Sequence, residues 1–209
     1  MAEQIFPTKG NLIKAKRSLR QAQLGYELMD RKRSILIREM VSLTDEARKL
    51  RGTIDDTYSA AYHALQRANI SMGVVSDISK MIPVDDSVEM SVRSVMGVEL
   101  PELSAEQLKE REIPYPMNRT NSDFDRAFIC FNRAKDITVQ LAETENSIYR
   151  LAISIRKTQK RANALKNIMI PRFRNMVNFI SNALEEKERE EFSRQKVIKS
   201  AKMKKVNDR

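Results

Sequence analysis

The chain is poor in almost everything from which a compact fold or an active site is built. It has no tryptophan, one histidine, one cysteine, five glycines and six prolines in 209 residues. So few glycines and prolines exclude a turn-rich fold. The lone Cys130 cannot form an internal disulfide, so the fold does not rely on oxidation and suits a reducing cytosol. Cys130 and His63 have no second cysteine or histidine beside them, which excludes a metal site of the usual spacing. No phosphate loop is present, since neither G-x-x-x-x-G-K-[ST] nor G-x-G-x-x-G occurs. No apolar run approaches the ~20 residues that span a bilayer, and MAEQIFPTKG lacks the apolar segment of a signal peptide. The expectation is a soluble, cytoplasmic protein without cofactor, metal or catalytic constellation, and not an enzyme by itself.

What is abundant is charge and helix-forming residues. Charged residues make up 32% of the chain and the net charge is +10. The balance suggests an anionic partner: nucleic acid, an acidic lipid surface or an acidic protein cavity. From Lys9 to Lys80 the apolar positions recur at threes and fours over about ten heptads. One lane reads Leu12, Leu19, Tyr26, Arg33, Met40, Ala47, Ile54, Ala61, Ala68, Val75. The other reads Ala15, Ala22, Met29, Leu36, Leu43, Leu50, Thr57, Ala64, and only Arg33 and Thr57 break the pattern. No proline interrupts it. A helix of this span would be roughly 105 Å long, too long for a globular core, so the rest of the chain must supply its partner.

A second seam begins near Ser122 or Asp123, read as the N-cap. Its stronger lane is Ala127, Ala134, Leu141, Ile148, Ile155, Ala162, Met169, Met176, Ala183. Its weaker lane is Cys130, Ile137, Thr144, Leu151, Thr158, Leu165, handing over to Phe173 and Ile180 near Pro171. Proline removes a helical hydrogen bond, so a kink and a shifted seam are expected there. At the other end Thr8 is the expected N-cap of the first helix, after a short leader. Gly25, Gly52 and Gly73 lie off the seam; a long helix can tolerate them, or a third body can approach the backbone there.

Between the helices, Pro83 ends the first pattern. Val88, Met90 and Val92 alternate with polar residues, as do Val98 and Leu100, with Gly97 between the runs, which reads as a small β-hairpin. Pro101, Pro114 and Pro116 bracket a charged segment, Ala105 to Glu112, that can hold one short helix. About 40 residues are too few for an α/β domain with its own core. The expected organisation is therefore a coiled-coil helix over 8–82, an elbow over 83–122, a second helix over 123–200 and a basic tail over 201–209. The fold class is all-α: a long antiparallel two-helix coiled coil, left-handed because the repeat is sevenfold. Alanine in the seam lets the helices approach closely, and a parallel homodimer is the competing arrangement.

The expected seam is carried chiefly by Leu12, Leu19, Met29, Leu36, Met40, Leu43, Leu50 and Ile54, against Leu141, Ile148, Leu151, Ile155, Leu165 and Met169. Basic runs lie at Lys14-Ala15-Lys16-Arg17, Arg31-Lys32-Arg33, and Arg156-Lys157 with Lys160-Arg161. They are either the solvated face of a coiled coil or a positive shaft meeting an acidic wall. No aromatic residue interleaves with them, which argues against binding single-stranded nucleic acid by stacking. The glutamates Glu185, Glu186, Glu188, Glu190 and Glu191 pair most simply with Lys187 and Arg189 on a solvated helix. The tail that follows carries Arg194, Lys196, Lys199, Lys202, Lys204 and Lys205, placed favourably for the helix macrodipole.

Pro7-Thr8-Lys9-Gly10-Asn11-Leu12 followed by Gly25-Tyr26-Glu27-Leu28-Met29-Asp30-Arg31-Lys32-Arg33 resembles the start of the D subunit of V-type and A-type rotary ATPases. Thr158-Gln159-Lys160-Arg161-Ala162-Asn163-Ala164-Leu165, continuing to Ile170-Pro171, is similar to the family's T-x-[KR]-R-V-N-A-L-E-x-x-x-I-P block. Ala162 stands where valine is usual and Lys166 where glutamate is. Leu184-Glu185-Glu186-Lys187-Glu188-Arg189 resembles the family's ending. The likeness covers both helices. It implies the same hairpin fold, acting as the axle of a central stalk inside a ring of catalytic A and nucleotide-binding B subunits. The small F subunit would clasp its side, and the funnel-shaped rotor-coupling subunit would join it to the membrane ring. It thus implies a peripheral place on the cytoplasmic face, membrane contact only through the complex, and no nucleic acid. Lys14, Lys16, Arg17, Arg156, Lys157, Lys160 and Arg161 become the expected ring-facing residues, and Val84 to Met117 the expected contact zone for the F subunit and the rotor coupling. Two alternatives follow from the residues. The gamma axle of F-type ATPases would need a substantial α/β domain between the helices. A basic coiled-coil adaptor or scaffold would bind nucleic acid or anionic membranes with steep salt dependence.

Overall fold

A computed structural model of the chain describes residues 6–84, 87–105 and 114–207. The fold is all-α with one small hairpin, and 82% of the described residues are helical. In order come α1 (Lys9–Met72), a short α2 (Ser76–Ser79), β1 (Val88–Val95), β2 (Val98–Ala105), a 3-10 turn (Met117–Arg119), α3 (Ser122–Ala164), a π-helical stretch (Leu165–Met169) and α4 (Ile170–Asn207). The expected short helix over Ala105 to Glu112 falls largely on residues outside those described, as do the side chains of Lys202, Lys204 and Lys205 in the tail.

Local chemistry sets the ends of these elements. Thr8 caps α1, its Oγ1 accepting from the Asn11 N–H at 3.2 Å, which satisfies one of the donors a helix start leaves open. The first helix does not run to Lys80. It stops at Met72, because Gly73 adopts φ +81°, the left-handed conformation glycine takes at helix C-termini. The cap of α3 is Asn121 rather than Ser122 or Asp123, its Oδ1 accepting from the Phe124 N–H at 3.0 Å. Asp123 and Asp125 instead occupy the first turn, where the macrodipole favours carboxylates.

Pro171 shapes the second helix more than a plain kink would. Five residues N-terminal to it, Leu165–Met169, wind as π-helix, and the Ile170 N–H donates to the Leu165 carbonyl. Proline has no N–H for an α-helical bond and its ring crowds the carbonyl four residues back; a π turn absorbs this by adding one residue to the winding. The weaker lane moves by that residue, to Phe173 and Ile180, while Met169, Met176 and Ala183 continue the stronger one. Ile180 is fully buried while Phe179 is 61% exposed.

The chain forms two compact units: residues 1–32 with 157–209, and residues 33–156. In the first, α1 and the second helical run are antiparallel. Lys9 pairs with Glu188 at 3.2 Å, and Lys166 lies 5.7 Å from the centroid of the Tyr26 ring. The buried seam here consists mainly of small residues, Ala15, Ala22, Thr158 and Ala162, with Ile180. A Cβ on Gly25 would lie 3.7 Å from Leu165 Cδ1, an ordinary contact, and one on Gly52, in the second unit, would meet nothing within 4 Å. Neither glycine is required by a close neighbour.

In the second unit the helices are again antiparallel: Arg51 pairs with Glu145, Tyr58 Oη shares a hydrogen bond with Thr138 Oγ1 at 3.0 Å, and Tyr62 meets Phe131 edge-on. The threonine that breaks the first seam is satisfied locally, Thr57 Oγ1 donating to the Thr53 carbonyl at 2.7 Å. Thr144 does the same to Gln140 at 2.8 Å, so a hydroxyl can sit in the seam without an orphaned donor. Two apolar clusters anchor this unit. One gathers Ala68, Val75, Tyr115 and Phe124, with Leu65, Met72 and Phe128 packed against it. The other joins Leu36 of α1, Leu100 of β2 and Leu151 of α3, with Met40, Leu43, Val95, Val98 and Ile155 around them.

The hairpin is antiparallel, Val95 opposite Val98 and Val88 opposite Ala105. Its two-residue turn, Met96-Gly97, has φ of 51° and 73°, the pair of positive values that matches strand twist in tight hairpins. β2 does not end at Pro101 but runs through it. Counting from the turn, hydrogen-bonded pairs alternate with non-bonded ones, and Pro101 opposite Val92 is a non-bonded pair. Its missing N–H therefore points away from β1, where a strand tolerates proline.

Candidate partner interface

The basic residues singled out from the sequence are all exposed: Lys14, Lys16, Arg17, Arg156, Lys157, Lys160 and Arg161. Among the described residues none of them is held in an ion pair. They do not form one cluster. Six belong to the first unit and Arg156 to the second. Within the first unit Tyr26 lies beside Lys166, which puts Lys14, Lys16 and Arg17 on one side of that level and Lys157, Lys160 and Arg161 on the other. The two groups are thus about 25 Å apart along the helix axis. Between Lys157 and Leu184 the chain contains no aspartate or glutamate at all, so this length of helix presents one sign of charge.

The seam residues take graded positions. Leu36 and Leu151 are fully buried. Leu12, Leu19, Met29, Met40, Leu43, Leu50, Ile54, Leu141, Ile148, Ile155, Leu165 and Met169 are half-buried, as expected where two helices cover each other on one side only.

Within the second unit, the elbow is held to the helices in a way the lanes did not disclose. Along α3, Glu143, Ser147 and Arg150 occupy one face at i, i+4 and i+7. Arg150 Nη1 donates to the Glu99 carbonyl at 3.1 Å. The Ser147 hydroxyl donates to the Pro101 carbonyl at 3.5 Å. The Leu103 N–H donates to Glu143 Oε2 at 3.1 Å. Three side chains thereby close the outer edge of β2. On the other strand Arg93 pairs with Glu39 of α1 at 2.9 Å. Leu100 sits between these polar contacts as an apolar plug; it already stood in the alternating pattern, whereas the helix face that meets β2 had no signal beyond spacing.

The return of the chain to α3 is fixed by Tyr115, whose hydroxyl donates to Asp125 Oδ1 at 2.8 Å. Its ring stacks edge-on against Phe124 and Phe128, with centroids 4.8 and 5.4 Å away. Burial, then the hydrogen bond to Asp125 and that carboxylate's charge, push the phenol well above its ordinary 10.0. Tyr115 remains a neutral donor at physiological pH.

Chemistry of other kinds has little support. Cys130 is half-buried in an open groove of about 470 Å³, beside Asp56, Thr57, Ala60, Arg133, Asp136 and Ile137. Among the described residues no three His, Cys, Asp or Glu gather as a metal would need. Also among them, no helix is long and apolar enough to cross a membrane.

Residues 11–200 match the family model of the ATP synthase D subunit. The chain belongs to the ATP synthase D-subunit family. It is 42% identical over 197 residues to the V-type ATP synthase D subunit of Thermotoga neapolitana, covering 93% of this chain and 97% of that one. It is 36% identical over 200 residues to the A-type ATP synthase D subunit of Pyrococcus abyssi, covering 94% of each. With the A-type protein of Thermococcus kodakarensis the identity is 37% over 198 residues, 93% of this chain and 92% of the relative. Membership in the D-subunit family makes the chain a component of an ATP synthase complex and a central-stalk subunit of a rotary ATPase. The gamma axle and the nucleic-acid or membrane adaptor are not favoured.

Proposed function

We propose that this D subunit is the non-catalytic rotor axle that couples ATP hydrolysis or synthesis in the catalytic ring to H⁺ or Na⁺ movement in the membrane. Its partners on this reading are the catalytic A and nucleotide-binding B subunits, the F subunit, and the subunit that couples the stalk to the membrane rotor. The membrane is touched only through the complex, at its cytoplasmic face. The observation that carries the reading is the family match over 11–200 on a chain whose long helices are seamed in both of its units. An axle must transmit torque without unwinding, and seamed helix pairs do so at small diameter.

The exposed basic groups are the candidate ring contacts, meeting acidic residues of the catalytic subunits, and the elbow is the candidate zone for the F subunit and the rotor coupling. Charge of one sign over Lys157 to Leu184 favours an acidic wall over a neutral one. The test is joint neutralisation of Arg156, Lys157, Lys160 and Arg161 to glutamine in the assembled complex. The expected outcome is normal folding with weakened assembly or loss of coupled ion pumping. Unchanged assembly and pumping would refute the charge contact.

A further inference from the structure

The hairpin has two edges, and only one is closed. The carbonyls of Glu99 and Pro101 and the N–H of Leu103 point outward from β2 and are taken up by Arg150, Ser147 and Glu143. By the same alternation, the residues opposite them on β1 also turn their N–H and C=O groups outward: Ser94, Val92 and Met90. No other element meets these groups among the described residues. Their side chains share one face, and Val88, Met90 and Val92 are 41%, 68% and 56% exposed.

Proteins normally blunt such an edge with lysine, proline, a bulge or a short strand. β1 has none of these. It is eight residues long, its register is unbroken, and its one basic residue, Arg93, is engaged by Glu39. An open, regular edge with apolar side chains at alternate positions is what a strand-adding partner reads, through main-chain hydrogen bonds and alternate side-chain pockets. Charge narrows the partner. The hairpin carries Glu89, Glu99 and Glu102 against the single Arg93, an acidic island in a chain of net charge +10. A second copy paired antiparallel along the same edge would set Glu89 against Arg93, but Glu39 already engages that arginine and the copy brings the same acidic excess, whereas a basic strand is attracted.

We propose that β1 accepts a third strand: an extended segment of another subunit of the complex, apolar at alternate positions with lysine or arginine between, paired along Val88 to Ser94. The proposal rests on the reading of the elbow as a contact zone in the complex and names the chemistry of that contact.

Amide hydrogen exchange, compared between the isolated chain and the intact ATP synthase complex, tests it. In the isolated chain the inward amides of Ser91 and Arg93 should exchange slowly and the outward amides of Met90, Val92 and Ser94 rapidly. In the complex the outward amides should slow by at least about tenfold. If the hairpin is shielded in the complex but the outward amides keep their rate, strand addition is wrong and the elbow contact stands. If no hairpin position changes, both fail. Slow outward amides in an isolated chain with the mass of a dimer would mean self-pairing and overturn the proposal. Val92→Pro removes one outward N–H and spares the β1–β2 ladder; it should weaken elbow-dependent association about tenfold. Should that variant lose the inward protection, Met90→Lys with Val92→Lys keeps the strand and sets positive charge against a basic partner, and must weaken association equally.

Discussion

The two units of this protein use the same helices to make different kinds of interior. In residues 33–156, leucine meets leucine across a hairpin plug, and aromatic rings stack beside Tyr115. In residues 1–32 with 157–209, the buried seam is alanine, threonine and one isoleucine. At about 25 cal/mol per Å² of apolar surface, the first kind of interior contributes more per buried residue, and the second is thin. Six of the seven basic residues singled out lie in the thin unit and Arg156 in the other, while exposed apolar residues occur in both, Ile13, Leu24, Leu28, Ile168 and Phe179 in the thin unit and Val41, Ile129 and Ile153 in the other. One unit is closed by bulky side chains, the other by small ones.

The largest expected effect breaks the leucine-lined unit. Leu151→Ala empties the centre of the Leu36–Leu100–Leu151 cluster and should cost about 3–4 kcal/mol, read by chemical denaturation, with hydrogen-exchange protection falling in residues 33–156. Next, Ala162→Leu overfills the thin seam and should cost about 2 kcal/mol, with protection falling around residues 15–32 and 157–180. Equal losses in both regions from either change would blur the contrast.

Tyr115→Phe should cost about 1 kcal/mol and carries a pH signature. The phenol is held above its unfolded value of 10.0. The folded state therefore keeps that proton more tightly, and the stabilisation is complete below pH 10 and lost as pH rises beyond it. Denaturation followed from pH 8 to 11 should show a falling limb that the phenylalanine variant lacks. The smallest effect is expected at the exposed pair of Arg51 and Glu145. Arg51→Ala should change stability by less than about 1 kcal/mol, showing that the second unit rests on its clusters and not on surface charge.

Much of this contrast is written in the residue pattern, because a seam repeats and each lane residue points the same way. Every described lane position is buried or half-buried, including the handover to Phe173 and Ile180. The hairpin was legible from alternation about Gly97. Less was legible where one residue's backbone decides. Gly73 looks like any tolerated helical glycine until its positive φ ends α1 at Met72. Pro101 reads as a strand terminator until register places it on a non-bonded pair. The docking of β2 on Glu143, Ser147 and Arg150 depends on contacts between distant segments, which no local period reports. The basic runs were legible as charge, but their separation into two groups needed the pairing of Tyr26 with Lys166.

The most direct test of the axle is to lock it. A cysteine in place of exposed Lys14, cross-linked reversibly to the surrounding ring in the assembled complex, should stop multi-turnover ATP hydrolysis and ion transport together, and reduction of the cross-link should restore both. A complex that keeps hydrolysing ATP and moving ions at full rate with the cross-link intact would show that this chain does not turn against the ring.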